Sequence, residues 1–161
     1  MLVRDAINII RGRINDEFDT GYEPGVLIDY INDAIKYLSH ALIARNEPVL
    51  AKWMELDSSK ENCVPNGFVR FAGGYPIRRL GDRFYVIDEK TTINAKYFCL
   101  PDEVKAEDDE MPFANNDTYR AIICNLAAIY ALNQHEFNVE RDTAMRQELE
   151  QIIIQSLGTV G

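Results

Sequence analysis

The spacing of apolar residues at the start of the chain predicts two amphipathic helices joined by a short turn. Apolar side chains recur at steps of four, three and four along a helix predicted at about residues 2–15. A second apolar stripe over residues 27–42 predicts another helix, and Pro48 prevents much continuation. Arg4 and Arg11 fall on one flank of the first helix, which is either a solvated edge or a contact to an acidic partner or neighbouring subunit.

The middle of the chain changes to the pattern of short strands. Between residues 49 and 100, aromatic and β-branched runs alternate with turn signals, which predicts a small antiparallel β meander. Gly81 and Asp82 resemble a two-residue hairpin turn with glycine in the first position. Pro76 indicates that its strand lies at an edge or begins late.

Two further helices are predicted near the end of the chain. Over residues 121–132 only Asn125 is polar, so the third helix should be the central buried element, beginning near Asp117 or Thr118. The predicted fold class is therefore mainly α, a four-helix domain with an inserted antiparallel β meander. The predicted single domain, 1–161, comprises a helix pair at 2–45, a β-rich insertion at 49–100, a helix pair at 117–157 and a tail at 158–161.

The fourth predicted helix carries apolar residues beyond a single face. Most of them share one stripe, but Ile154 lies more than a third of a turn from its centre and Leu157 lies between the two. The apolar surface therefore spreads around the helix near its end. Either the end wraps against its own domain, or the segment with Ile154, Leu157 and Val160 docks on another chain, a portal or neighbouring subunit.

Composition and charge narrow the function classes. The chain has 161 residues, 47% of them hydrophobic, and a formal net charge of −9. This charge argues against a general DNA-coating protein, which needs a basic field, but allows one that surrounds DNA without gripping it. Three widely spaced cysteines, no signal-peptide pattern and no membrane-length apolar run predict a soluble, reduced, cytosolic product.

No motif predicts an enzyme, a cofactor site or a metal site. His135 and Glu136 lack the second histidine that a zinc protease motif needs at position 139. An acidic run lacks the alternating ligands and the glycine of a calcium loop. It is either a solvated loop or a weak contact to cations or to a basic partner. The run consists of Glu107, Asp108, Asp109 and Glu110.

The β-rich region holds the chain's only basic and aromatic zone. Alternating arginines and aromatics can bind single-stranded nucleic acid, but a half-buried sheet produces the same alternation without a ligand. Because the whole chain is acidic, contact with an acidic protein surface is the favoured functional interpretation. The candidate residues for contact with a neighbouring subunit or a neck protein are Arg70, Phe71, Tyr75, Arg78, Arg79 and Arg83.

The layout as a whole resembles phage head-to-tail connector, or adaptor, proteins. The opening segment, LVRDAINIIRGRINDEF and VLIDYINDAIKYLSHAL, is similar to that family's first helix pair and includes the phrase L-x-x-Y-I-N-D-A-I. The segment MPFANNDTYRAIICNLAAIYALNQHEFNVERDTAMRQELEQ looks like the family's closing pair. Both halves occur in the family's order, whereas the β-rich middle is the least family-like part.

The resemblance implies a structural virion protein without catalytic residues. Members of that family form rings, usually of twelve subunits, at the portal vertex, where they extend the DNA channel and hold the next neck or tail protein. The expected partners are therefore the portal protein, a neck or tail protein and further copies of the chain, around DNA that is enclosed without sequence recognition. The expected location is the virion neck, after assembly in the host cytoplasm. The alternative is a small acidic regulatory or inhibitory protein that binds a basic protein partner.

Overall fold

The computed structural model describes residues 1–16, 21–87, 92–133 and 139–160. The chain divides into two units, which we consider separately. The helical unit consists of Met1–Ala41 and Glu103–Gly161, and the β unit consists of Leu42–Asp102.

Four helices lie in the described residues. They are α1 (Val3–Arg13), α2 (Pro24–Ala44), α3 (Asp117–Leu132) and α4 (Val139–Leu157). In the helical unit, α3 packs against both α1 and α4. None of these helices, within the described part of the chain, is long and apolar enough to cross a lipid bilayer.

Helix α3 exposes a smaller share of its residues than α1 or α2 does. Its buried side chains lie on several sides, and many of them are small, so neighbouring helices can approach closely. They are Ile122, Ile123, Cys124, Leu126, Ala127, Ala128 and Ala131. Burial of each Leu or Ile side chain contributes about 1.5–3 kcal/mol to the free energy of unfolding.

The ends of α3 and α4 show which polar residues stop and start the helices. The side chain of Asn116 accepts a hydrogen bond of 3.0 Å from the backbone N–H of Tyr119, so Asn116 is the N-cap of α3. Helix α3 itself begins at Asp117, where the sequence predicts its start. At the end of α4, Gly158 has a φ of +80°, the left-handed conformation that glycine adopts after a helix.

The connector after α1 is held by a buried arginine. Arg11 is only 5% exposed, and its guanidinium donates a 3.1 Å hydrogen bond to the carbonyl oxygen of Tyr22 and lies 3.9 Å from the carboxylate of Asp16. The expectation that Arg11 lies on a solvated edge or a partner contact is therefore wrong. Helical periodicity cannot anticipate that Asp16 and Tyr22, beyond the end of α1, contact this arginine.

The β unit contains two three-stranded antiparallel sheets. The strands are β1 (Ala51–Asp57), β2 (Asn62–Cys63), β3 (Phe68–Phe71), β4 (Ile77–Leu80), β5 (Arg83–Val86) and β6 (Thr92–Cys99). Within the described residues, one sheet has the order β1-β6-β3 and the other has the order β2-β5-β4. A short 3-10 helix, Pro48–Leu50, precedes β1.

The strand pairing corrects both the predicted meander and the predicted fold class. The first and last strands of the region pair along their whole length, from Ala51 opposite Phe98 to Asp57 opposite Thr92, so the strands between them do not form one meander. With four helices and two three-stranded sheets in the described residues, the protein is an α/β mixture and not mainly α. The strands also have their own core, which is built around Leu56, Phe84 and Ala95.

The hairpin between β4 and β5 confirms the predicted turn. Leu80 pairs with Arg83, so Gly81 and Asp82 form a two-residue loop, and Gly81 has the positive φ of +62° that such a turn requires. Pro76 immediately precedes β4, and β4 is an edge strand, as its proline predicts. This hairpin determines which side chains the second sheet exposes to solvent.

Candidate interaction surfaces

Apolar side chains are exposed on the outer side of the β4–β5 hairpin. Paired residues of an antiparallel ladder share a face, and faces alternate along each strand. Leu80, Tyr85 and Ile87 are 55%, 43% and 66% exposed, and Tyr85 lies opposite Arg78. We call Arg78, Leu80, Arg83, Tyr85 and Ile87 the outer hairpin face. Side chains of the opposite side, such as that of Phe84, pack into the core of the β unit.

The two arginines of the outer hairpin face differ in their electrostatic environment. Arg83 forms an ion pair with Glu61, and the neighbouring carboxylate raises the pKa of the arginine. The side chain of Arg78 is exposed and forms no hydrogen bond or ion pair within the described residues. Arg78 is therefore available to an external carboxylate or carbonyl oxygen.

Two other predicted contact arginines are used within the β unit. Arg70 donates hydrogen bonds of 2.8 Å to the carbonyl oxygen of Ile43 and to the side-chain oxygen of Asn46, and its guanidinium lies 4.7 Å from the ring centre of Phe98. Arg79 donates a 2.9 Å hydrogen bond to the carbonyl oxygen of Gly81. These contacts give both arginines a structural role.

Two of the predicted contact aromatics line the core of the β unit. The rings of Phe71 and Tyr75 are 5.8 Å apart, and the ring of Phe71 also lies 5.0 Å from that of Phe84. The hydroxyl of Tyr75 accepts a 3.0 Å hydrogen bond from the backbone N–H of Lys96. The structure therefore brings together only Arg78 and Arg83 of the six candidates on the outer hairpin face.

The acidic run forms a loop that holds the start of α1. The backbone N–H groups of Val3 and Arg4 donate 2.9 Å hydrogen bonds to the carbonyl oxygens of Asp109 and Glu107. The guanidinium of Arg4 also pairs with the carboxylate of Asp108 at 3.0 Å. These contacts satisfy N–H groups that a helix leaves unbonded in its first turn. The side chain of Glu110 is exposed.

The carboxylate of Asp109 stabilises the acidic loop itself. One of its oxygens accepts hydrogen bonds from the backbone N–H groups of Lys105 and Ala106, at 2.7 and 2.9 Å. These bonds favour the charged form and lower the pKa of Asp109. Within the described residues, no group of three or more histidine, cysteine or acidic side chains is placed to hold a metal ion. His135 lies outside the described residues.

Burial decreases along the C-terminal end of α4. Leu149 and Ile153 are buried, whereas Ile154 and Leu157 are half-buried. Val160, beyond the helix, is 58% exposed. The residues predicted to dock on another chain therefore lie where this unit's own packing ends.

A second surface, which the sequence reasoning missed, combines tyrosines with carboxylates. On α2, Tyr30, Asp33 and Tyr37 follow at spacings of three and four and so share one side of the helix. The ring of Tyr130 on α3 stacks with that of Tyr30 at 6.4 Å. Asp29 and Asp33 are exposed, and the tyrosines are half-buried. We call Asp29, Tyr30, Asp33, Tyr37 and Tyr130 the tyrosine–acid face. The spacing of these residues along α2 is the sequence signal from which this face could have been predicted.

Titration of the tyrosines reflects their partial burial. Desolvation, together with the nearby charge of Asp33, raises the pKa of Tyr130 to about 12. Burial likewise raises the pKa of Tyr30 and of Tyr37. At neutral pH all three hydroxyls therefore keep their protons and can donate as well as accept hydrogen bonds.

A cavity of about 220 Å³ lies between α1 and the start of α3. Arg13, Arg120 and Cys124 are among the residues that line it. Burial raises the pKa of the Cys124 thiol, so this sulfur stays protonated and is a poor nucleophile. Arg120 pairs with Asp117 beside it. The cavity is therefore lined by a protonated thiol and by an arginine that is paired with a carboxylate. Neither of these two groups resembles an activated catalytic residue.

The sequence matches no protein-family model, and no curated protein is similar enough to it to count as a match.

Proposed function

We propose that the protein is a non-enzymatic subunit of a phage head-to-tail connector. In this role, copies of the chain form a ring in the virion neck, join the portal to the next neck or tail protein, and extend the channel around the DNA. The layout supports the proposal because the segments that resemble the family's two helix pairs form α1, α2, α3 and α4 in the same order. The β unit lies between those pairs in the chain.

The exposed apolar residues of the outer hairpin face carry the proposal. Leu80 and Ile87 each expose more than half of their side-chain surface, on a sheet whose other side already supplies the core. Clusters of exposed apolar residues on a protein surface commonly mark contacts with other chains. A structural subunit that repeats such contacts around a ring gains stability from many weak interfaces without a catalytic site.

The C-terminal end of α4 supports a contact with the portal. Ile154 and Leu157 keep part of their apolar surface in solvent, and Val160 extends the apolar character past the helix. Such an end can insert into an apolar groove on a larger partner. This contact is separate from those of the outer hairpin face, so each can be tested alone.

A truncation tests the docking of the C-terminal end. Deleting residues 156–161 should reduce capture by the portal protein encoded in the same genome, while the far-ultraviolet circular dichroism spectrum keeps its helical shape. A matched pair refines the test, because Leu157→Asp places a charge on the half-buried residue and Ser156→Asp places it on the exposed neighbour. Leu157→Asp should weaken capture strongly and Ser156→Asp should not. Undiminished capture of the truncated chain would refute the docking role.

A further inference from the structure

Charge is distributed unequally between the two units. The helical unit holds eighteen acidic and eight basic residues, a formal net charge of −10. The β unit holds eight acidic and nine basic residues, a net charge of +1. The overall charge of −9 therefore belongs to the helical unit. The helical unit of a second copy is therefore strongly acidic, whereas the β unit is nearly neutral and can approach it without net repulsion.

The chemistry of two exposed surfaces is complementary in the same sense. The outer hairpin face offers the available guanidinium of Arg78 beside the apolar side chains of Leu80 and Ile87. The tyrosine–acid face offers the exposed carboxylates of Asp29 and Asp33 beside half-buried tyrosine rings. Arginine pairs with carboxylates and stacks on aromatic rings, and tyrosine and arginine are enriched among the residues that dominate interface energies.

We propose that the outer hairpin face of one copy binds the tyrosine–acid face of the next copy. This inference rests on the proposed function, because it assigns the subunit contact of the ring. The two surfaces differ, so the contact is head-to-tail and leaves each copy with one open surface of each kind. Repetition of such a contact gives a ring when the rotation closes. A symmetric contact between the hairpin faces of two copies would instead place both Arg78 side chains in one interface, where like charges repel.

Nucleic acid is a less favourable ligand for the outer hairpin face than a carboxylate-bearing protein surface. Phosphate binding gains affinity from several uncommitted cations, and each neutralised phosphate adds to the salt dependence. Arg83 is already paired with Glu61, and Arg70 and Arg79 are hydrogen-bonded within the β unit. A carboxylate partner needs only one available guanidinium and an apolar surround, which the outer hairpin face provides.

Charge reversal on each surface tests the contact in the full chain. Arg78→Glu and Asp33→Arg should each weaken self-association roughly tenfold or more, measured by sedimentation velocity over a concentration series. The control Lys52→Glu changes the net charge as Arg78→Glu does, at an exposed position of β1, and should associate like the unmodified chain. The chain with both Arg78→Glu and Asp33→Arg should recover association, because the reversed charges are again complementary.

Mixing the two single variants tests the direction of the contact. Each single variant keeps one intact surface, and the two reversed surfaces are complementary to each other, so the mixture should assemble although neither variant does so alone, visible by native mass spectrometry. Ile87→Ser provides an uncharged variant of the outer hairpin face and should also weaken association. Thermal unfolding of every variant checks that the fold is kept.

Several results would overturn the contact while sparing the connector role. Association of Arg78→Glu equal to that of the unmodified chain, with portal capture intact, would remove the contact alone. Weakening by Arg78→Glu but not by Asp33→Arg would indicate another partner surface. Binding of a single-stranded oligonucleotide that depends on Arg78, without self-association, would assign the outer hairpin face to nucleic acid. An unmodified chain that neither self-associates nor binds a portal would refute the connector role itself.

Discussion

At the scale of single residues, Asn32 holds the backbone of Val104 to α2. Its side-chain nitrogen donates a 2.8 Å hydrogen bond to the carbonyl oxygen of Val104, and its oxygen accepts a 3.0 Å hydrogen bond from the backbone N–H of the same residue. One amide side chain thus replaces the partners that a strand would supply. This asparagine lies in the phrase L-x-x-Y-I-N-D-A-I, and its role could not be predicted without the position of Val104.

Replacing Asn32 should destabilise the helical unit. In Asn32→Ala both hydrogen bonds disappear and two backbone groups of the buried Val104 lose their partner, so we expect the free energy of unfolding to fall by about 1–3 kcal/mol. Urea denaturation followed by circular dichroism measures the change. Asn8→Ala is the matched control, since Asn8 is exposed on α1, and it should change stability by no more than about 0.5 kcal/mol. Equal effects of the two substitutions would contradict this role.

The lowered pKa of Asp109 predicts a specific pH dependence. The folded state lowers this pKa from the ordinary value of 3.8, so the stabilising effect of the carboxylate is complete above pH 3.8 and decreases as the pH falls through the folded value. Asp109→Ala should therefore be less stable than the unmodified chain at neutral pH, and the difference should shrink in strong acid. Urea midpoints between pH 7 and pH 3 measure it. Glu110→Ala, at the exposed neighbour, should show no such convergence.

At the scale of elements, two glycines with positive φ allow the effects of backbone strain and of close packing on stability to be told apart. A Cβ at Gly67 would lie 2.9 Å from the carbonyl oxygen of Leu100, whereas a Cβ at Gly81 meets nothing within 4 Å. Gly67→Ala should therefore cost more stability than Gly81→Ala, because both substitutions strain the backbone but only the first also forces a clash. Comparing the thermal midpoints of the two variants tests this order, and the reverse order would refute it.

The elements that the sequence predicted best depend on local pattern. Apolar spacing located the helices to within a few residues, and the glycine-first turn located the β4–β5 hairpin. The pairing of β1 with β6 escaped prediction because Ala51 and Phe98 are far apart in sequence, and no alternation within a strand states its partner. That pairing divides the strands into two sheets and gives the β unit a core of its own, which is why the predicted mainly α fold class was wrong.

The contact surfaces were predictable only in part, for a related reason. A half-buried sheet and a binding surface have the same alternation of arginines and aromatics, so composition could not separate Arg70 from Arg78. The difference lies in the tertiary structure, since Arg70 donates a hydrogen bond to the carbonyl oxygen of Ile43. The tyrosine–acid face was visible as a helical spacing on α2, but Tyr130 joins it only through the packing of α3.

At the scale of the whole molecule, the unequal charge of the two units predicts how assembly responds to salt. Attraction between opposite charges on different copies is screened over about 10 Å at 0.1 M salt and over about 3 Å at 1 M. Raising sodium chloride from about 0.05 M to about 0.5 M should therefore weaken self-association. Sedimentation velocity at both concentrations measures the effect, and association that strengthens with salt would contradict it.

The position of Cys63 gives the chain a built-in attachment point for chemical probes. Cys63 is exposed and lies opposite Arg83 in the β2–β5 ladder, so its thiol shares the outer hairpin face, whereas Cys99 and Cys124 are buried. A maleimide dye should react at this sulfur long before the other two, without any engineered cysteine. Under the proposed contact, emission from such a dye should change when a second copy covers the face, and a bulky reagent on the same sulfur should block assembly without any substitution in the sequence.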